Sequence, residues 1–285
     1  MRVSLRPVTD ADVAECGRIC YEAFAAIATE HRFPVDLSTE EMAARVIAAR
    51  LAHRLTYGVV AEVDGRIAGS AFLKVHRPVG AIGPVTVAPR FQGGQVGRLL
   101  MEHLMEQARA AGLGGTRLVQ AAYNMESLAL YTKLGFQMRE LLACLYGKPL
   151  TARLRGRGVR AGRETDLDAC NRLCQRLQGY PRSDDLLEAM RARTLSVVLL
   201  EGQIRGYSTG LHFRGHTVTE TNEDAKALIA AAEDLPDPGM LVPARNGELL
   251  RWLMENGMRI TQPLSLMTQG FYREPEGAFL SSIHG

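Results

Sequence analysis

A glycine-rich loop in the first half of the chain has the residue types of a diphosphate-binding turn. The loop runs from Gln92 to Arg98 with the sequence Gln-Gly-Gly-Gln-Val-Gly-Arg. It follows an apolar run at 81–87, which predicts a strand, and precedes a helical pattern at 99–111. Glycines let the backbone approach a ligand closely, and the N–H groups and dipole of a helix N-terminus attract negative charge. This order of elements predicts that main-chain amides, with Arg98 as an added cation, hold a pyrophosphate. The alternative is a helix start that merely needs flexible residues.

A second stretch with chemical potential begins at Asn124. Asparagine is typical of a helix N-cap. The helical pattern after it carries Ser127 and Tyr131 and stops at Gly135, a residue type that commonly ends helices. Asn124 is therefore a cap, a ligand contact or both. Tyr131 either packs its ring against the core or offers its hydroxyl to a ligand.

Together these stretches resemble the GCN5-related N-acetyltransferase (GNAT) family. The family's loop pattern is Arg or Gln, any two residues, Gly, any residue, then Gly or Ala, and residues 89–100 look like it. Residues 124–136 resemble the family's later helix and strand, and the resemblance covers most of residues 1–150 in outline. It implies acetyl-CoA as cofactor, transfer of its acetyl group to a primary amine of a small molecule or peptide, and Tyr131 as the catalytic residue that protonates the leaving sulfur. The cofactor contacts it implies are Val85, Val87, Gln92, Gly93, Gly94, Gln95, Val96, Gly97, Arg98, Asn124, Ser127 and Tyr131.

The loop departs from the family pattern at Gln95, which stands where the first motif glycine is usual. A glutamine held at positive φ would be strained by about 1 kcal/mol or more. We therefore expect Gly93 and Gly94 to shift the turn by one residue, with weaker cofactor binding as the alternative.

The strand before the loop lacks the carboxylate that many family members use as a general base. Glu30, His31 and His76 are the candidate bases, and an amine that arrives neutral needs no strong base. A protein that binds coenzyme A or another ligand without turnover is therefore the competing function. Transfer of an acyl group other than acetyl is a third interpretation, which pocket residues such as Phe72 and Met105 do not decide.

The chain carries one pattern of elements twice. Three matches occur in the same order: capped helix openings at 9–20 and 165–174, hairpins at 59–73 and 197–211, and capped helices ended by glycine at 124–135 and 246–257. Aligning the Thr-Asp-x-Asp of 9–12 with that of 165–168 leaves the second copy two residues shorter before its cysteines. Each half predicts strand, helix, helix, hairpin, strand, helix, strand, helix, strand.

The predicted fold class is α/β (α+β), with two tandem acetyltransferase-like domains, each a mixed, mostly antiparallel sheet flanked by helices. We place the acetyl-CoA-binding domain at 1–150 and a degenerate copy at 151–285, joined in the basic, glycine-broken stretch 148–158.

The second copy lacks the chemical residues of the first. Its segment 215–225 has three acids and no glycine turn at the helix start, and Leu253 stands where Tyr131 stands in the first copy. Carboxylates there would repel a diphosphate, so we expect residues 159–285 to provide shape, an acceptor wall or a homodimer contact. Arg245 and Asn246 are candidates for acceptor binding, although a helix cap with a solvated arginine is the favoured interpretation. The apolar tail 271–285 is expected to pack over a domain.

Composition excludes several other classes of function. The 34 Lys and Arg against 31 Asp and Glu give a net charge of +3, too weak a bias to predict nucleic-acid binding. The N-terminus carries acids where a signal peptide needs an apolar core, which predicts a cytoplasmic protein without a membrane partner. Cys16 with Cys20, and Cys170 with Cys174, lie four apart on predicted helices. This spacing favours core packing over a zinc site.

Overall fold

The computed structural model describes residues 2–150, 152, 154 and 156–284. These residues form two compact units. Unit 1 contains the described residues up to Gln137, with Met267–Phe271 and His284, and unit 2 contains Met138–Leu266 and Tyr272–Ile283. The division of the duplicated domains between residues 150 and 151 remains a prediction. Thr151 and Gly285, at two of the predicted boundaries, lie outside the described residues.

The elements follow the predicted order in each half, and one strand that was not predicted is added in the tail of the second half. Up to residue 133 they are β1 (Val3–Pro7), α1 (Val13–Glu30), α2 (Glu40–Ala52), β2 (Thr56–Val63), β3 (Arg66–Lys74), β4 (Val79–Val87), α3 (Val96–Ala110), β5 (Gly115–Ala121) and α4 (Met125–Lys133). From residue 137 they are β6 (Gln137–Tyr146), β7 (Gly158–Ala161), α5 (Leu167–Gln178), α6 (Ser183–Arg191), β8 (Ser196–Leu200), β9 (Gln203–Ser208), β10 (Thr217–Thr219), α7 (Asn222–Ala230), β11 (Met240–Pro243), α8 (Gly247–Glu255), β12 (Arg259–Gly270) and β13 (Ala278–Leu280).

Unit 1 is a mixed sheet buried on both faces. Its strand order is β1-β2-β3-β4-β5, followed by the end of β12, and every named pairing is antiparallel except β4 with β5. Side chains alternate across a strand. Val59 and Ala61 therefore join the core with α3, while Val60 joins a second core with α1 and α2. The predicted mixed, mostly antiparallel sheet with helices on its faces is confirmed.

Unit 2 has a five-stranded antiparallel sheet in the order β13-β10-β9-β8-β7, and a second group of strands in the order β12-β6-β11. Residues of α5 and α6 pack on one face of the first sheet, and Ala227 and Leu228 of α7 pack on Val198 of its other face. Two features differ from the predicted topology. The last strand of the first half, β6, belongs to unit 2 almost entirely, and the end of β12 completes unit 1 beside β5.

The repeat of the helix opening is closer than the sequence alignment indicated. Asp12 accepts hydrogen bonds from Arg6 (2.7 Å) and from the Thr9 N–H (2.8 Å). Asp166 accepts the same pair of bonds from Arg160 (2.6 Å) and from the Arg163 N–H (2.8 Å). Asp166, and not Asp168, is therefore the counterpart of Asp12. The two-residue gap predicted before the cysteines was wrong, because only the carboxylate that closes the turn identifies the equivalent position.

The paired cysteines lie in the two helical cores. Cys16 and Cys20 of α1 and Cys170 and Cys174 of α5 are free and buried. Burial raises the pKa of Cys20 and of Cys170 to about 12, so these thiols stay protonated at neutral pH. Among the described residues, no group of three or more His, Cys, Asp or Glu side chains is placed to hold a metal ion. None of the helices within the described ranges has the length and apolar character to cross a bilayer.

Candidate coenzyme site in unit 1

Strands β4 and β5 separate partway along their length. They pair in parallel at Val79–Gly115, Gly80–Thr116 and Ala81–Arg117, yet β4 continues to Val87 and β5 to Ala121. A register shift between β3 and β4 lies at this point, and such a bulge bends a strand. The opening between 82–87 of β4 and 118–121 of β5 is called the unit 1 slot.

Val85 and Val87 turn their backbone groups into the slot. The Ala88 N–H donates to the Ala68 carbonyl at 2.9 Å on the β3 side. Antiparallel strands bond the same neighbour at every second residue, so Thr86 also faces β3. The N–H and C=O groups of Val85 and Val87 face the other way, where β5 has diverged. One of them, the Val87 carbonyl, accepts a 3.0 Å hydrogen bond from the Gln92 side chain. The rest are placed to pair with an extended ligand as a strand would.

The predicted phosphate loop ends at the first turn of α3. This helix begins at Val96 and not at residue 99, because the Leu99 N–H already bonds the Gln95 carbonyl at 2.9 Å. The N–H groups of Val96, Gly97 and Arg98 precede that bond, so the helix itself supplies them no acceptor. The Val96 side chain packs in the unit 1 core and takes no part in the loop surface. The geometry fits an anion held by main-chain donors.

Gln95 is not strained in this loop. Its φ is −92° and its ψ is −8°, in the right-handed helical region. The left-handed position falls on Gly93, with φ +72°, where an added Cβ would meet no atom within 4 Å. The expectation that glycine relieves Gln95 of the positive φ is confirmed, but the turn lies on Gly93 alone, two positions before Gln95, and not one position before it.

Arg98 lies beside the loop at the surface. Its side chain is 65% exposed and its Nε donates to Glu102 one helical turn later, at 2.7 Å. The cation expected near the diphosphate is therefore present, but a carboxylate of its own helix already partly balances its charge.

Helix α4 carries the predicted proton donor. The Asn124 side chain caps the helix by accepting the Ser127 N–H at 3.0 Å. Tyr131 lies two turns further on, 7% exposed, with its ring centroid 6.1 Å from that of Phe136. Burial raises the pKa of Tyr131 to about 12, against a smaller opposing effect of a hydrogen bond with the Ser127 side chain. At neutral pH this phenol is protonated and acts as a hydrogen-bond donor.

The candidate bases lie in different surroundings. His76 is buried and 6% exposed, which sets it apart from the solvent-exposed Glu30 and His31. The His31 Nδ1 lies 3.1 Å from the Ile27 carbonyl. A carbonyl only accepts, so Nδ1 carries the hydrogen and Nε2 is the basic nitrogen.

Two aromatic residues that the sequence analysis overlooked adjoin His31. Phe33 stacks on Tyr123 with ring centroids 4.2 Å apart, and the His31 ring lies 5.4 Å from the same tyrosine. Tyr123 comes directly before the cap Asn124, so this aromatic group stands at the start of α4. The sequence feature that could have indicated this group is the aromatic residue Tyr123 immediately before the helix cap Asn124.

Comparisons with known proteins agree with this geometry. Residues 21–136 match the acetyltransferase (GNAT) family model. An IAA acetyltransferase of Azospirillum brasilense is 35% identical over 83 residues, which are 28% of this chain and 54% of the relative. The chain spans between a quarter and about half of the length of the curated relatives it matches.

Unit 1 contains a GNAT domain.

Solved structures extend the likeness of fold to the whole chain. A Pyrococcus horikoshii protein described as an acetyltransferase superimposes with a TM-score of 0.72 at 16% identity, covering 96% of this chain and 91% of its own. A tandem GNAT protein of the clavulanic acid pathway gives a TM-score of 0.57 at 14% identity, covering 94% and 98%. The fold is therefore that of tandem GNAT proteins. The family uses acetyl-CoA as its acetyl donor, and the main-chain donors at Val85, Val87 and the start of α3 suit its extended arm and diphosphate.

The corresponding region of unit 2 carries charged side chains that pair with one another. Thr221 caps α7 and Asn246 caps α8, and between these helix starts lies a cavity of about 390 Å³. Its lining includes Arg245, an exposed residue whose guanidinium donates to Glu140 (2.7 Å) and Glu274 (2.9 Å). It also includes Glu220, which pairs with Arg176 and Arg205. Leu253, at the place of Tyr131, is fully buried in the core.

Proposed function

We propose that the GNAT domain of unit 1 is an N-acetyltransferase that acts on a primary amine of a small molecule or peptide, with acetyl-CoA as donor. The observation that carries this proposal is the unit 1 slot. It opens beside the outward-facing backbone of Val85 and Val87, and the same strand leads directly into the Gly93 turn and the N-terminus of α3. The pantetheine arm of the coenzyme needs the outward-facing strand backbone, and its diphosphate needs the glycine turn and the helix N-terminus.

Each part of the site has a role in this proposal. Acetyl-CoA, when bound, supplies an activated acyl group, so the protein has only to position it, polarise it and manage protons. Val85 and Val87 hold the arm by strand-like hydrogen bonds, and the N–H groups of Val96, Gly97 and Arg98 hold the diphosphate. Tyr131 donates a hydrogen bond to the departing sulfur. A phenol with a pKa of about 12 remains protonated for this task over the whole physiological range.

Removal of the amine proton is assigned to His31. Its Nε2 is the basic nitrogen, and its ring lies against Tyr123 at the start of the helix that carries Tyr131. The stacked Phe33 and Tyr123 offer the acceptor an aromatic wall at the same place. The likeness to an IAA acetyltransferase does not fix the acceptor, because the matched segment covers only 28% of this chain.

Two measurements on the whole chain test the proposal. Calorimetry with acetyl-CoA should show one site per chain, and a thiol-release assay over a panel of small amines and peptide N-termini should find at least one acceptor. Failure of acetyl-CoA to bind would refute both the cofactor site and the enzyme.

A protein that binds coenzyme A without turnover is the second candidate. Its support is the absence of any carboxylate on β4 from Val79 to Val87. Stoichiometric binding of acetyl-CoA, with no release of thiol on any amine of the panel, would favour this function over the transferase.

A further inference from the structure

Strand β13 lies in unit 2 at the position that the slot has in unit 1. In the second copy β10, α7 and β11 correspond in order to β4, α3 and β5. Among the described pairings, β10 meets β9 on one side and β13 on the other. β13 also reaches β11, because the Ser281 N–H donates to the Leu241 carbonyl at 2.9 Å. The strand of the tail therefore fills the gap between β10 and β11.

The backbone groups that face β13 are the counterparts of those that face the unit 1 slot. The Glu220 N–H bonds the Arg205 carbonyl at 2.9 Å, as the Ala88 N–H bonds Ala68 in unit 1. By the same alternation, Thr217 and Thr219 turn their backbone groups away from β9, as Val85 and Val87 turn away from β3. Thr217 pairs with Leu280 and Thr219 with Ala278. A peptide therefore takes the hydrogen bonds that unit 1 leaves to a ligand.

Residues 276–283 of the tail are held by hydrogen bonds at both ends and in the middle, as a bound peptide would be. The Glu276 N–H donates to Leu177 and the Ile283 N–H to Phe213, both at 2.8 Å. The Thr219 hydroxyl donates to the Ala278 carbonyl at 2.8 Å. Ala278, Phe279 and Leu280 are buried. Gly277, which begins this stretch, has φ +73°, and an added Cβ would lie 2.3 Å from the Thr219 carbonyl oxygen. The close approach of residue 277 to the end of β10 requires a glycine at this point.

At the outer end of the cleft, the charged side chains of the lining are already paired within the protein. The cavity between Thr221 and Asn246 is lined by Gly277, Ala278 and Phe279 of the tail, and its arginine and glutamate are already paired. Asp224 in the first turn of α7 is 1% exposed and bonds Arg157 at 2.7 Å.

We propose that unit 2 is a peptide-binding cleft whose ligand is the chain's own segment 277–283, with β13 in the place that unit 1 keeps for a coenzyme arm. The cleft recognises an extended backbone through Thr217 and Thr219 and requires glycine at its entrance. This inference concerns unit 2 alone and holds whether or not unit 1 has transferase activity.

Hydrogen exchange on the full chain tests the proposal. In Gly277→Val the tail is expelled, so protection of the amides of Thr217, Thr219 and Leu241, which face the tail, should fall at least about 10-fold. Gly247→Ala is the matched control, because an added Cβ there meets no atom within 4 Å, and it should leave this protection unchanged. Acetyl-CoA affinity and stoichiometry should be the same in both variants.

A peptide added in trans separates ligand from scaffold. A synthetic peptide with the sequence of residues 272–284 should bind the Gly277→Val protein saturably and restore protection, whereas a scrambled peptide should not. Unchanged protection in Gly277→Val, or its loss without rescue by the peptide, would overturn the proposal. Binding of a second acetyl-CoA by Gly277→Val would also overturn it, since the cleft would then prefer a coenzyme to a peptide.

Discussion

The gaps after β4 in unit 1 and after β10 in unit 2 have the same backbone frame and different contents. In both, alternate residues of the strand turn their hydrogen-bonding groups outward, Val85 and Val87 in one and Thr217 and Thr219 in the other. In unit 1 the next strand diverges and a glycine turn follows, whereas in unit 2 a third strand fills the space and paired charges follow. The same backbone frame can thus hold different contents, provided that something satisfies the exposed backbone groups.

The largest effect is expected at Tyr131, where unit 2 has Leu253. Tyr131→Phe should lower kcat about 100-fold or more, because a positioned proton donor contributes about that much, while acetyl-CoA affinity changes less than about two-fold. Tyr57→Phe is the control in the same unit, since that hydroxyl bonds His103 at 2.9 Å. Steady-state kinetics with thiol detection measures both, and equal turnover in Tyr131→Phe and parent would remove Tyr131 from its role. Because the pKa of Tyr131 is about 12, its ionisation should cause no loss of activity up to about pH 10.

The matched carboxylates of the two units come next. Asp12→Asn and Asp166→Asn should each lower the free energy of unfolding of their own unit by about 2 kcal/mol. Each change removes the buried carboxylate charge that accepts hydrogen bonds from an arginine. Saturating acetyl-CoA binds only the folded site, so it should offset the loss in Asp12→Asn and not that in Asp166→Asn. Equal rescue of both by acetyl-CoA in thermal unfolding would contradict the assignment of the coenzyme to unit 1.

The same carboxylates set an acid dependence. Arg160 lowers the pKa of Asp166, and Arg6 lowers that of Asp12. Since the folded pKa lies below the unfolded value, the stabilisation is complete above the ordinary Asp pKa of 3.8 and is lost as pH falls through the folded pKa. Urea titrations between pH 2 and pH 6 should show each Asn variant converging on its parent at the acid end.

A smaller effect is expected at the loop turn. Gly93→Ala places a side chain at φ +72°, which costs about 1 kcal/mol and should raise the Kd of acetyl-CoA about five-fold. Gly202→Ala is a matched control in unit 2, at φ +78° and equally open to solvent. It should cost similar stability and leave the Kd unchanged. A Kd that rises in both variants would mean that general destabilisation, and not the loop, sets affinity.

The smallest expected effect is at Arg98. Arg98→Ala should weaken acetyl-CoA binding about two- to three-fold, because an exposed cation already paired with Glu102 adds little. Glu102→Gln should strengthen binding slightly by releasing that cation, and both effects should shrink in high salt. Arg251→Ala, on an exposed position of α8, should change nothing. Calorimetry at two salt concentrations decides, and the same sign in Arg98→Ala and Glu102→Gln would contradict the interpretation.

Local chemistry made much of this molecule predictable. The Asp64-Gly65 hairpin turn, the Asn124 and Asn246 caps and the helix-ending Gly135 and Gly257 all adopt the conformations that their residue types favour. The loop of the candidate site was predictable for the same reason, because a glycine at positive φ and a helix N-terminus are local features.

Pairings between distant segments were not predictable. β6 and β12 have similar apolar patterns, and such a pattern states that a strand is buried but not which strand lies beside it. The expectation that the tail packs on a domain was correct. Its place between β10 and β11 depends on Gly277 and on the direction of backbone N–H and C=O groups, which residue types alone do not reveal. Tyr123 and Phe33 were missed because their stacking joins segments 90 residues apart in the chain.

The division of β12 between the two units has a consequence for the order of biosynthesis. Its last residues, Met267–Gly270, complete the edge of unit 1 beside β5, although the other strands of that unit are synthesised before residue 138. A ribosome must therefore translate past residue 270 before the first unit can close. Until then the β5 edge is unpaired in the nascent chain, which is the period in which a chaperone or a neighbouring polypeptide has access to it.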